Sequence, residues 1–91
     1  MKLSTKDPYK IIKYPLATEK SVRLMESENK LVFIVEKKAT KKQIKEAIEA
    51  AFKVKVLKVT TTILPNGEKK AYVKLPMDTP AIDIATQLGL I

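Results

Sequence analysis

The chain has 91 residues, no histidine, no cysteine and a net charge of +8. That length fits one domain, and an apolar fraction of 45% is enough for a small core rather than a disordered basic tail. Without cysteine there are no disulfides or thiolate zinc sites, without histidine the usual general acid–base near neutral pH is missing, and no run approaches the ~20 apolar residues of a membrane span.

Residues 1–8 read as a flexible basic lead without a signal-peptide-like apolar stretch, and the expected location is the cytoplasm. Tyr9 to Tyr14 (YKIIKY) has residues that favour β structure and is stopped by Pro15, which predicts a short edge strand. Thr18 is a helix N-cap, with Glu19 in the first turn where the helix dipole favours an anion. That helix is expected to reach about Glu28 and to bury Val22 and Met25. Leu31 to Val35 (LVFIV) is a five-residue apolar run, rich in β-branched residues and too short for a buried helix, so it predicts a central strand.

Thr40 and Gln43 form a capping box. Ile44, Ala47, Ile48, Ala51 and Phe52 then fall on one helical stripe, with Lys42, Lys45, Glu46, Glu49 and Lys53 off it. Val54 to Leu64 is again β-rich, and its alternation slips between Val56 and Leu57, so a bulge or the true strand start lies there. Asn66-Gly67 after Pro65 marks a tight turn. Beyond it Ala71, Val73 and Leu75 alternate with Lys70, Tyr72 and Lys74, a hairpin with one buried face and one basic, aromatic-bearing face. Pro80 fits the first position of a last helix capped by Thr79, with Ala81, Ile84, Ala85 and Leu88 as its stripe and Gly89 at its end. The order is β-α-β-α-β-β-α in a single domain, residues 1–91. It implies an α+β two-layer sandwich: a small, predominantly antiparallel sheet of three to four strands with helices packed on it.

The charge is uneven. Residues 1–45 carry twelve Lys/Arg against five Asp/Glu, residues 46–74 six against three, and residues 75–91 only Asp78 and Asp83. The first three quarters therefore suit a polyanion and the tail does not. Lysine far outnumbers arginine, so phosphates would be met by point charges rather than bidentate forks. Lys37, Lys38, Lys41 and Lys42 flank the start of the second helix, where backbone donors also attract anions; the plainer reading is a solvated face. Lys69 and Lys70, both expected to be exposed, either contact a polyanion or protect a sheet edge. Tyr72 either stacks on a base or is an ordinary strand tyrosine. Thr60, Thr61 and Thr62 are strand formers first and hydroxyl donors second. For catalysis there is little: the only glycines are Gly67 and Gly89, so no phosphate-cradling loop exists, and Glu46 and Glu49 sit among lysines on a helix surface. The chain reads as a non-enzyme without cofactor or metal.

Three segments in register resemble one family. Ile12-Lys13-Tyr14 followed by Pro15-Leu16-Ala17-Thr18-Glu19-Lys20 resembles the opening motif of the universal large-subunit ribosomal protein twenty-three family. Lys41 to Glu49 with Phe52 and Val54-Lys55-Val56 is similar to its central helix and following strand, and Gly67 to Leu75 to its hairpin. The resemblance covers about residues 8–90. It implies a monomer within the ribosome that binds large-subunit rRNA beside the nascent-peptide tunnel exit and touches neighbouring ribosomal proteins. It further implies a share in the platform for signal recognition particle, nascent-chain chaperones and the translocation channel. Glu19 matches the acidic position offered to such factors, and Pro15, Thr18 and Lys20 match positions against RNA. Lys13, Asn66 and Lys74 join the lysines, Thr60 and Tyr72 above as candidate RNA contacts. Two departures stand out. The long Arg/Gly-rich hairpin loop of bacterial members is replaced by Pro65-Asn66-Gly67, an archaeal-looking trait, and Thr60 stands where the family often has asparagine. The alternatives are a free-standing basic nucleic-acid-binding module of chromatin or regulatory type, and a pure protein adaptor.

Overall fold

The structure, a computed structural model, describes residues 11–89. The expected flexible lead at residues 1–8 and the strand start at Tyr9 lie outside the described residues. The order is β1 (Ile12–Pro15), α1 (Glu19–Glu28), β2 (Lys30–Val35), α2 (Lys41–Phe52), β3 (Lys58–Ile63), β4 (Lys69–Lys74) and α3 (Ala81–Gln87). The four strands form one antiparallel sheet in the order β1-β2-β4-β3, which puts the apolar run Leu31–Val35 in its interior as its composition demands.

Alternate strand positions decide the two faces. Leu31, Phe33 and Val35 of β2, Ala71 and Val73 of β4 and Val59 of β3 share one core with Met25 of α1, Ile44, Ala47 and Ile48 of α2, and Ala81, Ile84 and Ala85 of α3. The three described helices therefore lie on the same side of the sheet. Phe33 and Phe52 tie α2 to the sheet with ring centroids 6.0 Å apart.

The local signals act as chemistry requires. Thr18 accepts from the Ser21 amide at 3.3 Å. At α2 both halves of the capping box are made, Gln43 N–H to Thr40 Oγ1 at 3.1 Å and Thr40 N–H to Gln43 Oε1 at 2.9 Å. The hairpin connection is a turn on Leu64–Gly67, closed by Gly67 N–H to Leu64 O at 2.9 Å, with Pro65 and Asn66 as its central residues. Only Gly67 takes a positive φ there (89°), the three-residue hairpin loop in which a left-handed residue follows a type I-like turn.

Three local expectations need correction. Strand β1 ends on Pro15 itself, one residue past the expected Tyr14, because β1 is an edge strand where a missing N–H is tolerated. Of the two readings of the slip in alternation the structure takes the strand start, with β3 beginning at Lys58, and Val56 N–H is held by the Glu49 carboxylate at 3.0 Å. Glu49 is thus half-buried and structural rather than a solvated surface acid. Finally, Thr79 does not cap α3. The cap position is Pro80, which has no side-chain acceptor, and the Ala81 amide is taken by Asn29 from across the molecule at 2.7 Å.

Candidate nucleic-acid interface

The sheet face away from the helices carries the other set of alternate residues: Tyr14 on β1, Lys30, Val32 and Ile34 on β2, Lys70, Tyr72 and Lys74 on β4, and Lys58, Thr60 and Thr62 on β3. Among the described residues no helix covers it. Register sets them in rows across the strands: Lys30–Lys74–Lys58, Val32–Tyr72–Thr60, and Tyr14–Ile34–Lys70–Thr62. Val32 and Ile34 are buried all the same, at 3% and 1% exposure.

Carboxylates are kept out of the sheet, while lysines occur in both layers. Lys13, Lys30, Lys58, Lys69, Lys70 and Lys74 lie in strands, and among the described residues no Asp or Glu does. The carboxylates occupy helices and loops. Like charges set directly opposite on neighbouring strands destabilise a sheet, so the Lys30–Lys74–Lys58 row costs stability until an anion lies over it. Of these three lysines only Lys30 has an ion-pair partner among the described residues, Glu28 at 3.3 Å. Sequence reasoning missed Lys30 and Lys58. Their relevant property is cross-strand register with Lys74, which follows from the pairing β2-β4-β3 and not from local spacing.

Tyr72 is half-buried, with the Lys70 ammonium 5.5 Å from its ring centroid, a cation–π pair that fixes both side chains on this face. Thr60 is its cross-strand neighbour. At the rim, Tyr14 donates its hydroxyl to Glu68 at 2.9 Å, and Asn66 donates its amide to the other Glu68 oxygen at 2.9 Å. The hydrogen bond from Tyr14 to the Glu68 carboxylate pushes the phenol above the ordinary tyrosine range. Asn66 is thus spent on the turn, since Glu68 N–H also bonds its Oδ1 at 3.0 Å.

Lys69 and Lys70 part ways. Both are half-buried, not exposed as expected, because each ammonium is drawn onto a neighbour on its own face: Lys69 onto the Ala39 carbonyl and Lys70 onto the Tyr72 ring. Lys69 shares its face with Ala71 and Val73 and donates to the Ala39 carbonyl at 2.6 Å, pinning the loop before α2. Lys37, Lys38, Lys41 and Lys42 are exposed around that same loop and the start of α2, at the sheet end where Lys69 and the hairpin turn also lie.

The segment before α1 is rigidly built. Lys13 is exposed at an irregularity in β1, Pro15 is half-buried, and Lys20 is exposed on α1. Thr18 is exposed but its hydroxyl serves the cap. Ser21, which sequence reasoning did not single out, is 3% exposed and reaches the Thr18 carbonyl at 2.8 Å and the Leu16 carbonyl at 3.0 Å. Glu19 is well exposed and pairs with Arg23 at 2.7 Å. Among the described residues no group of three His, Cys, Asp or Glu comes together to hold a metal, and no helix is long and apolar enough to cross a membrane.

The ribosomal protein L23 family model matches residues 10–83. The chain belongs to the ribosomal protein L23 family. Its match spans all four strands, α1 and α2, and ends on the third residue of α3. The chain is accordingly a protein of the large ribosomal subunit, from a structural rather than enzymatic family. Lys13, Pro15, Thr18 and Lys20, the row Lys30–Lys74–Lys58, and the Lys70–Tyr72 pair all fall within the matched residues.

Proposed function

We propose that this protein binds large-subunit rRNA through the open face of its sheet, extended at one end by the lysines around the start of α2. The carrying observation is the exclusion of acid from the sheet: among the described residues six lysines and no carboxylate lie in strands, and the face that no described helix covers gathers Lys30, Lys58, Lys70 and Lys74. An RNA backbone laid over that face offsets the repulsion between the aligned ammonium groups and releases counterions. Tyr72 offers a ring to an unstacked base or a sugar, and Thr60 and Thr62 offer hydroxyls to 2′-OH groups and phosphates. Few of these groups read base edges, so recognition is mainly of RNA shape.

Placement beside the nascent-peptide exit is supported by the resemblance of Tyr14 to Lys20 to the family's opening motif. In that reading Glu19 is a contact for signal recognition particle, nascent-chain chaperones or the translocation channel. An incoming partner has to share or displace its bond with Arg23, a small cost for an exposed pair. The compact Leu64–Glu68 connection leaves no extended loop to line the tunnel. Lysine–RNA crosslinking in purified large subunits tests the assignment. Crosslinks at Lys58, Lys70 and Lys74 are expected, and crosslinks confined to the α1 and α3 surface overturn it.

A further inference from the structure

A second surface is unsuited to RNA. A groove of about 530 Å³ runs between the C-terminal part of α1, the end of β4 and the segment leading into α3. Met25 forms its floor at 3% exposure, while Leu57, Met77 and Ile82 stand on its walls at 60%, 90% and 41%. These three are most of the large apolar side chains left in water among the described residues. Isolated exposed apolar residues need no explanation, but three around one groove mark an interaction surface.

Charge indicates what fits. Glu26 and Glu28 line the α1 wall, and Asp78 and Asp83 adjoin Met77 and Ile82. Glu28 is held by Lys30, whereas Glu26, Asp78 and Asp83 have no ion-pair partner among the described residues. Lys74 borders the groove only on the sheet side. In a chain of net charge +8 this is the acidic corner, and it repels the polyanion that the sheet attracts. Methionine side chains on floor and wall adapt to irregular apolar surfaces.

We infer that this groove docks an amphipathic helix of a protein partner. The helix inserts apolar side chains between Leu57, Met77 and Ile82 and sets lysine or arginine residues against Glu26, Asp78 and Asp83. Such a helix-in-groove contact takes its affinity from apolar anchors and its choice of partner from the charged rim. It is separate from the Glu19 surface, since about 10 Å of helix rise divides Glu19 from Glu26.

The test uses the full chain with methyl-labelled methionine and three synthetic probes: a helical Leu/Lys peptide, its Leu/Glu counterpart, and a Leu/Lys peptide scrambled to destroy the apolar stripe. The Leu/Lys helix is expected to shift the Met25 and Met77 methyl signals and to bind about tenfold tighter than the Leu/Glu helix, the scale of two or three exposed ion pairs. The Glu26→Gln, Asp78→Asn, Asp83→Asn variant is expected to erase that preference, and Met77→Ser with Ile82→Ser to weaken both peptides. Equal binding of the acidic or scrambled probe, or Met25 and Met77 methyl signals that stay in place as the Leu/Lys helix binds, overturns the assignment. RNA affinity measured on the same variants reports on the sheet face separately: it is expected to hold in the serine variant whatever the peptides do.

Discussion

The side-chain carbonyl of Asn29 accepts a hydrogen bond from the backbone N–H of Ala81, 52 residues later, at 2.7 Å. Its amide nitrogen reaches the carbonyls of Leu75, Pro76 and Thr79 at 3.0, 2.9 and 3.1 Å. Asn29 itself sits in the left-handed region (φ 55°), where it ends α1 with its N–H on the Leu24 carbonyl. One residue therefore closes α1, turns the chain into β2 and caps α3. The left-handed geometry suits asparagine better than any other non-glycine residue.

Asn29→Ala is expected to destabilise the fold by about 2–4 kcal/mol, through the strained φ and the unmet carbonyls and amide. Asn29→Asp keeps the acceptor for Ala81 but sets a carboxylate oxygen against three carbonyls, and is expected to be no better than Ala. Urea denaturation of the three proteins checks this. A loss below ~0.5 kcal/mol for both variants would remove Asn29 as the junction.

The Tyr14–Glu68 bond sets a pH dependence. The neutral phenol donates to the carboxylate, and this holds its folded-state titration above the unfolded value of about 10. The contribution to stability is therefore complete below about pH 10 and disappears as pH rises through the folded value. Spectroscopic titration of tyrosinate is expected to show one phenol titrating late, which Glu68→Gln returns toward the ordinary range and Tyr14→Phe removes. An unchanged titration in Glu68→Gln would show that the bond does not form in solution.

Lys69 and Lys70 are expected to separate by function. Lys69→Met keeps the apolar stem but loses the charge-assisted bond to Ala39, costing about 1–2 kcal/mol of stability. Lys70→Met leaves stability nearly unchanged and weakens RNA binding. Thermal unfolding and RNA titration of the two single variants would expose the reverse pattern if the faces were misassigned.

Tyr72→Ala is expected to lose about 1–3 kcal/mol of RNA binding if a base stacks on the ring, while Tyr72→Phe keeps most of it. Equal losses in both variants would assign the role to the hydroxyl instead. As a control on the opposite face, Val73→Asp is expected to unfold the domain, since it places a charge where the native side chain has no exposure.

Much of the fold follows from local physics. Helix α2 is set by the Thr40–Gln43 box and an i, i+3, i+4 stripe, and β2 by a run too short and too branched for anything else. Both need no information from elsewhere in the chain. The cap of α3 is not legible locally, because its acceptor lies on Asn29, 52 positions away, while the nearby Thr79 offers the same chemistry. The interface was half legible for the same reason. Alternation alone separates Lys70, Tyr72 and Lys74 from Ala71 and Val73. Lys30 and Lys58 join them only once β2 and β3 are known to flank β4. Lys69 and Lys70 look alike in the sequence, yet neighbours in a strand face opposite ways.

The most direct measurement is the salt dependence of full-length protein binding to its large-subunit rRNA segment, wild type beside the Lys58→Ala, Lys70→Ala, Lys74→Ala variant. Six to eight phosphate contacts give a log–log slope of about −4 to −7 for wild type, and the triple variant is expected to lose about 2–3 of that slope with its fold intact. A wild-type slope near zero, or one that the triple variant leaves unchanged, would contradict the open sheet face as the seat of RNA binding.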